Sequence, residues 1–170
     1  MGKIDFQPAA EDQVPVLLSI YNYYILNSTA TFHKHPLSRA EMKALLFSDD
    51  PRYPSFIIYD GENICGYCLL KRFHEREAYN GTGEVTIYLN PGCQRKGIGG
   101  LAVDYLEEVA RKNQFHTLIA CICAENEGSI RLFASKGYEK CGHFKEVGRK
   151  FGRLLDVVYY QKILEFPYGN

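Results

Sequence analysis

Val85-Thr86-Ile87-Tyr88-Leu89-Asn90-Pro91-Gly92-Cys93-Gln94-Arg95-Lys96-Gly97-Ile98-Gly99-Gly100-Leu101 is an alternating apolar strand that runs through a basic, glycine-rich turn into an amphipathic helix. Such a turn is suited to a phosphate-bearing anion. Glycines let the backbone approach closely, the free N–H groups of the first helical turn point at the ligand, and the helix dipole adds partial positive charge. Arg95 and Lys96 contribute two full charges. A nucleoside-triphosphate loop needs Lys-Ser/Thr after its last glycine, whereas Gly99 is followed here by Gly100 and Leu101. The dinucleotide pattern G-x-G-x-x-G/A is formally met by Gly97, Gly99 and Ala102. Against it, a polar connection from Pro91 to Lys96 separates strand from glycines, and the nearest acid of the required kind, Glu125, lies late.

A third pattern, Gln/Arg-x-x-Gly-x-Gly/Ala, is filled by Gln94, Gly97 and Gly99 and resembles the acetyl-CoA loop of the GNAT N-acetyltransferase superfamily. The resemblance continues through Asn126 to Tyr138, where an Asn opens a helix and Gly-Tyr closes it. More narrowly, the blocks Tyr21 to Phe32, Arg76 to Glu84 and Lys150 to Val157 are similar to the phosphinothricin and methionine sulfone/sulfoximine acetyltransferases. The resemblance implies acetyl-CoA as cosubstrate, no metal, a small-molecule amine as acceptor and a homodimer. It assigns CoA contacts to Ile87, Tyr88, Leu89, Gln94, Arg95, Lys96, Gly97, Ile98, Gly99, Gly100, Asn126 and Ser129.

Acyl transfer from a thioester to an amine needs a neutral amine, a dipole for the developing oxyanion and a proton for the leaving thiol. Alternation puts Glu84 on the strand face of Thr86 and Tyr88, opposite Val85, Ile87 and Leu89. Glu84 also aligns with the family's catalytic glutamate and is expected to act as general base. The resemblance puts the oxyanion donor on the backbone near Tyr88 or Leu89. Many relatives use a Tyr as general acid, but Phe133 fills that place, so another hydroxyl serves or the thiolate leaves unassisted. Arg76 and Tyr79 match residues that hold the amino-acid substrate, Phe32 matches an aromatic that packs on it, and His74 stands at an often basic position. Phe151 replaces a His of the dedicated phosphinothricin enzymes, and Leu154 a Trp common in the methionine-analogue relatives. The expected activity is acetyl transfer from acetyl-CoA to the α-amine of a small amino acid or analogue, with another amine, such as a polyamine, an antibiotic or a peptide N-terminus, as the alternative acceptor. A dinucleotide-binding oxidoreductase and a non-catalytic CoA-binding module remain as alternatives of another kind.

At 170 residues, 46% of them hydrophobic, the chain suits one domain over residues 1–170. Lys+Arg and Asp+Glu both number 20, so no global positive field draws nucleic acid. No apolar run is long enough to span a membrane, and the first ten residues lack a signal-peptide core, which points to the cytoplasm. The six cysteines mostly fall in strand-like apolar runs and are expected to be reduced and buried. Cys65 and Cys68, three apart on a strand, are expected to face opposite ways.

Periodicity completes the plan. A strand over 3–7 precedes a helix from about residue 10 that ends before Asn27. Ser38-Arg39-Ala40-Glu41 is a capping box opening a short helix to about Ser48. A hairpin pairs 55–59 with 63–71, followed by a strand over 84–90. The next helix carries Ile98, Leu101, Ala102, Tyr105, Leu106, Val109 and Ala110 on its apolar stripe, with Asp104, Glu107 and Glu108 outside. A buried strand over 117–123, a helix capped by Asn126, and strands over 139–147 and 154–163 follow. The order β-α-α-β-β-β-α-β-α-β-β is the one the resemblance implies, and with it the fold class α/β (α+β), a mixed, mostly antiparallel sheet of about seven strands flanked by four helices.

Overall fold

Alternation along one strand divides the molecule into layers. In the computed structural model, which describes residues 2–165, the segment Thr82–Leu89 forms a central strand whose two faces bury different helices. Val85, Ile87 and Leu89 face one core, and Tyr88 faces the other. The elements are β1 (Ile4–Pro8), α1 (Val14–Asn27), α2 (Arg39–Leu46), β2 (Ser55–Asp60), β3 (Asn63–Arg72), β4 (Thr82–Leu89), α3 (Ile98–Lys112), β5 (Thr117–Cys123), α4 (Glu127–Ser135), β6 (Glu139–Lys150) and β7 (Arg153–Ile163). The strands form one sheet in the order β1-β2-β3-β4-β5-β7-β6. All neighbours are antiparallel except β4 and β5. The order and class are those expected from the sequence.

α1 and α2 cover one face through Leu17, Tyr21, Ile25, Met42 and Leu46 against Ile57, Tyr67 and Leu69. α3 covers the other through Ile98, Ala102, Leu106 and Ala110 against Ile58, Cys68, Leu70 and Leu118. The capping box at α2 forms as read: Ser38 N–H donates to Glu41 Oε2 at 2.7 Å, and Glu41 N–H donates to Ser38 Oγ at 3.3 Å. The helix nonetheless stops at Leu46, because Phe47 turns to an extended backbone at φ −111°, ψ 113°.

Three expectations are corrected. Glu107, read as an outward residue of α3, is buried at 5% exposure, where Lys162 Nζ meets Oε1 at 2.7 Å and Arg111 meets Oε2 at 3.3 Å. Leu101, read as part of the stripe, is 44% exposed. Cys65 and Cys68 face the same core rather than opposite faces. A register shift opposite Ile58 and Tyr59 leaves Cys65 bulged between Ile64 and Gly66, and one extra residue inverts the period-2 count.

The bulge aims Cys65 at Cys93 in the turn after β4, and the two form a disulfide with Cα atoms 5.6 Å apart. This overturns the expectation of six reduced thiols. Of the free cysteines, Cys68 and Cys123 are buried, and Cys121 and Cys141 are exposed. Among the described residues no helix is long and apolar enough to cross a membrane.

Candidate active site

β4 and β5 pair only at their beginnings: Thr82 with Thr117, Gly83 with Leu118 and Glu84 with Ile119. Beyond Glu84 the strands part. β4 continues against β3 to Leu89, while β5 continues against β7 to Cys123, so the sheet forks at its centre. Asn90 N–H donates to Cys65 O at 2.7 Å. Alternating outward from that bond, the backbone of Tyr88 turns to β3 and that of Ile87 and Leu89 turns into the fork. Of the two backbone N–H groups singled out from the sequence, that of Tyr88 is taken up by β3 and that of Leu89 faces the fork.

The fork opens into a cavity of about 1160 Å³. One end is walled by Gln94, Arg95, Gly97, Gly99 and Gly100, and by Asn126 and Ser129 at the start of α4. Gly97 takes the left-handed conformation at φ 77°, and Arg95 takes it at φ 59°. The first bond of α3 runs from Gly100 N–H to Gly97 O at 3.0 Å, so the N–H groups ahead of it open onto the loop. A Cβ at Gly99 would lie 3.1 Å from Leu132 Cδ2, and one at Gly100 would lie 3.2 Å from Lys136 Cε. The glycine pair is thus where α3 crosses α4 closely. Asn126 caps α4 by accepting from Ser129 N–H at 3.1 Å. The loop, the dipole of α3 and the Arg95 charge fit a pyrophosphate.

Two expected CoA residues stand apart from this wall. Ile98 is fully buried in the core, and Lys96 is exposed and does not line the cavity. Gln94 lines it, but its amide is engaged: Nε2 donates to Tyr24 Oη at 2.7 Å, and that hydroxyl donates to Leu89 O.

At the fork itself, Glu84 lies directly across from Lys71 on β3, with Nζ 2.8 Å from Oε1. The Glu84 side chain is 17% exposed and that of Lys71 49%. Sequence reading singled out Glu84 and missed Lys71, because the pairing depends on cross-strand register. Tyr88 Oη donates to Ala30 O at 3.1 Å, and Tyr21 Oη is hydrogen-bonded to Thr31 Oγ1 at 2.7 Å. Burial pushes both tyrosines up from their ordinary range. The exposed thiol of Cys121 also lines the cavity.

The segment from Ser28 to Phe32 forms the far wall. Lys150, 3% exposed, pins it by donating to Ser28 O at 2.7 Å and Thr31 O at 2.8 Å. A Cβ at Gly148 would overlap the Phe32 ring, so only a glycine allows that ring its place. Of the expected acceptor residues, Phe32 lines the cavity. His74, Arg76 and Tyr79 are exposed on the segment between β3 and β4 and do not line it. Phe151 borders a smaller pocket with Lys34, Arg149 and Lys150. Phe133 sits on the cavity wall with its ring edge-on to Tyr138, at 5.0 Å.

A sheet forked beside a glycine-rich anion loop, with a carboxylate at the fork, defines a transferase that handles a long phosphate-bearing donor. A family model described as an acetyltransferase (GNAT) domain matches residues 17–159, and the chain belongs to this family. It is 32% identical over 167 residues to the phosphinothricin N-acetyltransferase of Streptomyces coelicolor, covering 96% of this chain and 98% of that one. It is also 32% identical to the L-methionine sulfoximine/L-methionine sulfone acetyltransferase of Pseudomonas aeruginosa, covering 89% and 90%. The crystal structure of a phosphinothricin acetyltransferase from Sinorhizobium meliloti in complex with AcCoA superposes with a TM-score of 0.90 at 31% identity, covering 95% of this chain and 88% of that one. The expected acetyltransferase class is thereby established.

Proposed function

We propose that this protein transfers the acetyl group of acetyl-CoA to the α-amine of a small amino acid or amino-acid analogue. The observation that carries the reading is the fork: the last residue pair before β4 and β5 part is Glu84 with Ile119, so a carboxylate stands at the apex of the cavity that the anion loop closes. The names of the relatives supply the acceptor class, amino-acid analogues with a sulfone, sulfoximine or phosphinic group.

In this reading Arg95, the N–H groups at Gly97 to Gly99, and Asn126 with Ser129 hold the phosphate-bearing donor. The edge of β4 at Ile87 and Leu89 lines its reactive end. Glu84 accepts a proton from the acceptor ammonium, directly or through water, and the freed amine attacks the thioester carbonyl carbon. The carbon–sulfur bond breaks, the sulfur leaves as thiolate, and the proton that the nitrogen sheds in becoming an amide passes through water to the thiolate. Leu89 N–H, turned into the fork, is placed to stabilise the developing oxyanion. The transfer is direct, through a ternary complex and without an acetyl-cysteine intermediate.

We further propose a cytoplasmic homodimer. Phe144, Val147, Phe151 and Leu154 on the β6–β7 hairpin are each about half exposed and would suit a subunit contact. A monomer mass by light scattering across micromolar concentrations would overturn the dimer. The function is tested by following acetyl-CoA consumption over amino acids and their sulfone, sulfoximine and phosphinic analogues, with products identified by mass. Absence of an N-acetylated product across that panel would sink it.

A further inference from the structure

We infer that Lys71 is the specificity residue that selects acceptors carrying a carboxylate next to the amine, so that Lys71 and Glu84 together form a receptor for the head group of an α-amino acid. The inference rests on the acetyltransferase reading above and deepens it.

Lys71 and Glu84 are cross-strand partners on the cavity floor, 2.8 Å apart, at the point where β5 leaves β4. Their side chains point to the face of Thr86 and Tyr88, which is covered by α1 and the Ser28 to Phe32 segment. The carboxylate is mostly covered while the ammonium is half open, so the cation is the more accessible member. Lys71 has three N–H donors, and the contact to Glu84 occupies at most part of them. From β5 the nearest ionisable group on this face is Cys121, paired in register with Tyr159 on β7. Neither carries a charge that would compete for the ammonium.

An α-amino acid carries its ammonium and carboxylate on one carbon. Laid against this ion pair with charges opposed, it puts its ammonium on Glu84 and its carboxylate on Lys71, and all four charges are matched. An amine without the carboxylate must share Glu84 with Lys71 and leaves the lysine's open donors with water alone. The receptor therefore discriminates by charge pattern rather than by side chain. Arg76, to which the family resemblance gives the carboxylate, is exposed and outside the cavity wall of this chain.

The test uses L-methionine sulfone and the amine obtained by replacing its carboxylate with hydrogen, on wild type, Lys71→Met, Lys71→Arg and Arg76→Ala. The readout is the ratio of kcat/KM for the amino acid to that for the amine, with KM for acetyl-CoA measured alongside. A hydrogen bond to a charged partner carries roughly ten- to hundredfold in binding, so Lys71→Met should lower the ratio on that scale while KM for acetyl-CoA holds. Lys71→Arg should restore most of it, which a merely structural lysine would not require. An unchanged ratio in Lys71→Met, or a ratio that collapses in Arg76→Ala alone, overturns the assignment and leaves the acetyltransferase reading intact. No turnover by wild type with any amine sinks both.

Discussion

Tyr24 on α1 and Gln94 in the anion loop are 70 residues apart in the chain and joined by a 2.7 Å hydrogen bond, with Gln94 Nε2 donating to Tyr24 Oη. The same hydroxyl donates to Leu89 O at the end of β4. One oxygen thus ties a helix, the edge of the fork and the loop that closes the cavity. Burial of this phenol keeps it protonated and able to donate.

Tyr24→Phe deletes both bonds without changing the ring. Each buried hydrogen bond contributes about 0.5–1.5 kcal/mol net, so a loss of roughly 1–3 kcal/mol in unfolding free energy is expected. The KM for acetyl-CoA should rise with it, because the loop loses its tie to β4. Denaturant midpoints and calorimetry with CoA measure the two effects; a variant unchanged in both would show that the loop is held by other contacts.

Gly99 faces α4 as well as the cavity, so its substitutions separate packing from binding. A Cβ there meets the tip of Leu132 at 3.1 Å, and a small shift of that side chain relieves it. Gly99→Ala should therefore keep CoA affinity within a few-fold. Gly99→Val drives branched atoms against Leu132, which pushes α3 away from α4 at the anion loop, and should nearly abolish binding in a protein that still folds. Calorimetry showing wild-type affinity for a folded Gly99→Val variant would remove the loop as the pyrophosphate site.

The layers and the strand face that carries Glu84 were readable because they rest on local periodicity, whereas the role expected of Glu84 came from the family resemblance. Glu84, Thr86 and Tyr88 against Val85, Ile87 and Leu89 need only a period of 2, and the Ser38–Glu41 box needs only a spacing of three. The fork was not readable, since whether β4 and β5 stay paired past Glu84 depends on what each does with its other neighbour. Lys71 escaped for the same reason: its partner is set by register, 13 residues along the chain from Lys71 to Glu84. The bulge at Cys65 broke a count that assumed a regular strand and hid the pairing with Cys93. Glu107 followed its charge outward on a helical wheel, and only the arrival of Lys162 from β7 explains its burial.

The Cys65–Cys93 disulfide ties β3 to the turn that feeds the anion loop and closes a segment with sequence separation 28. A bond closing a loop of this size stabilises by about 3 kcal/mol, chiefly by restricting the unfolded chain. Thiol titration of denatured protein should find the 4 free cysteines before reduction and all 6 afterwards. Reduction should lower the unfolding midpoint of wild type but not that of Cys93→Ser. Six titratable thiols in protein purified without reductant would show that the pair is not bonded in solution.

Glu84→Gln tests the chemistry at the fork, since it keeps the size of the side chain and removes the base. The acceptor amine is mostly ammonium at neutral pH, and a positioned carboxylate lowers the barrier by taking its proton as attack begins. General-base assistance contributes typically about a hundred- to ten-thousand-fold, so kcat should fall on that scale at pH 7. Affinity for acetyl-CoA should stay near wild type, because the anion loop lies at the other end of the cavity. The sign of the pH effect follows from the acceptor: as pH rises, a larger fraction arrives already neutral and needs no base, so the variant should recover part of its loss while wild type gains less. The amide also releases Lys71 from its 2.8 Å partner, which leaves the lysine free for the acceptor carboxylate. KM for an α-amino acid should nonetheless rise, because the amide offers the acceptor ammonium no counter-charge. Wild-type turnover at pH 7 with an unchanged pH profile would remove Glu84 from proton transfer and leave alignment of amine and thioester within the fork as the source of the rate.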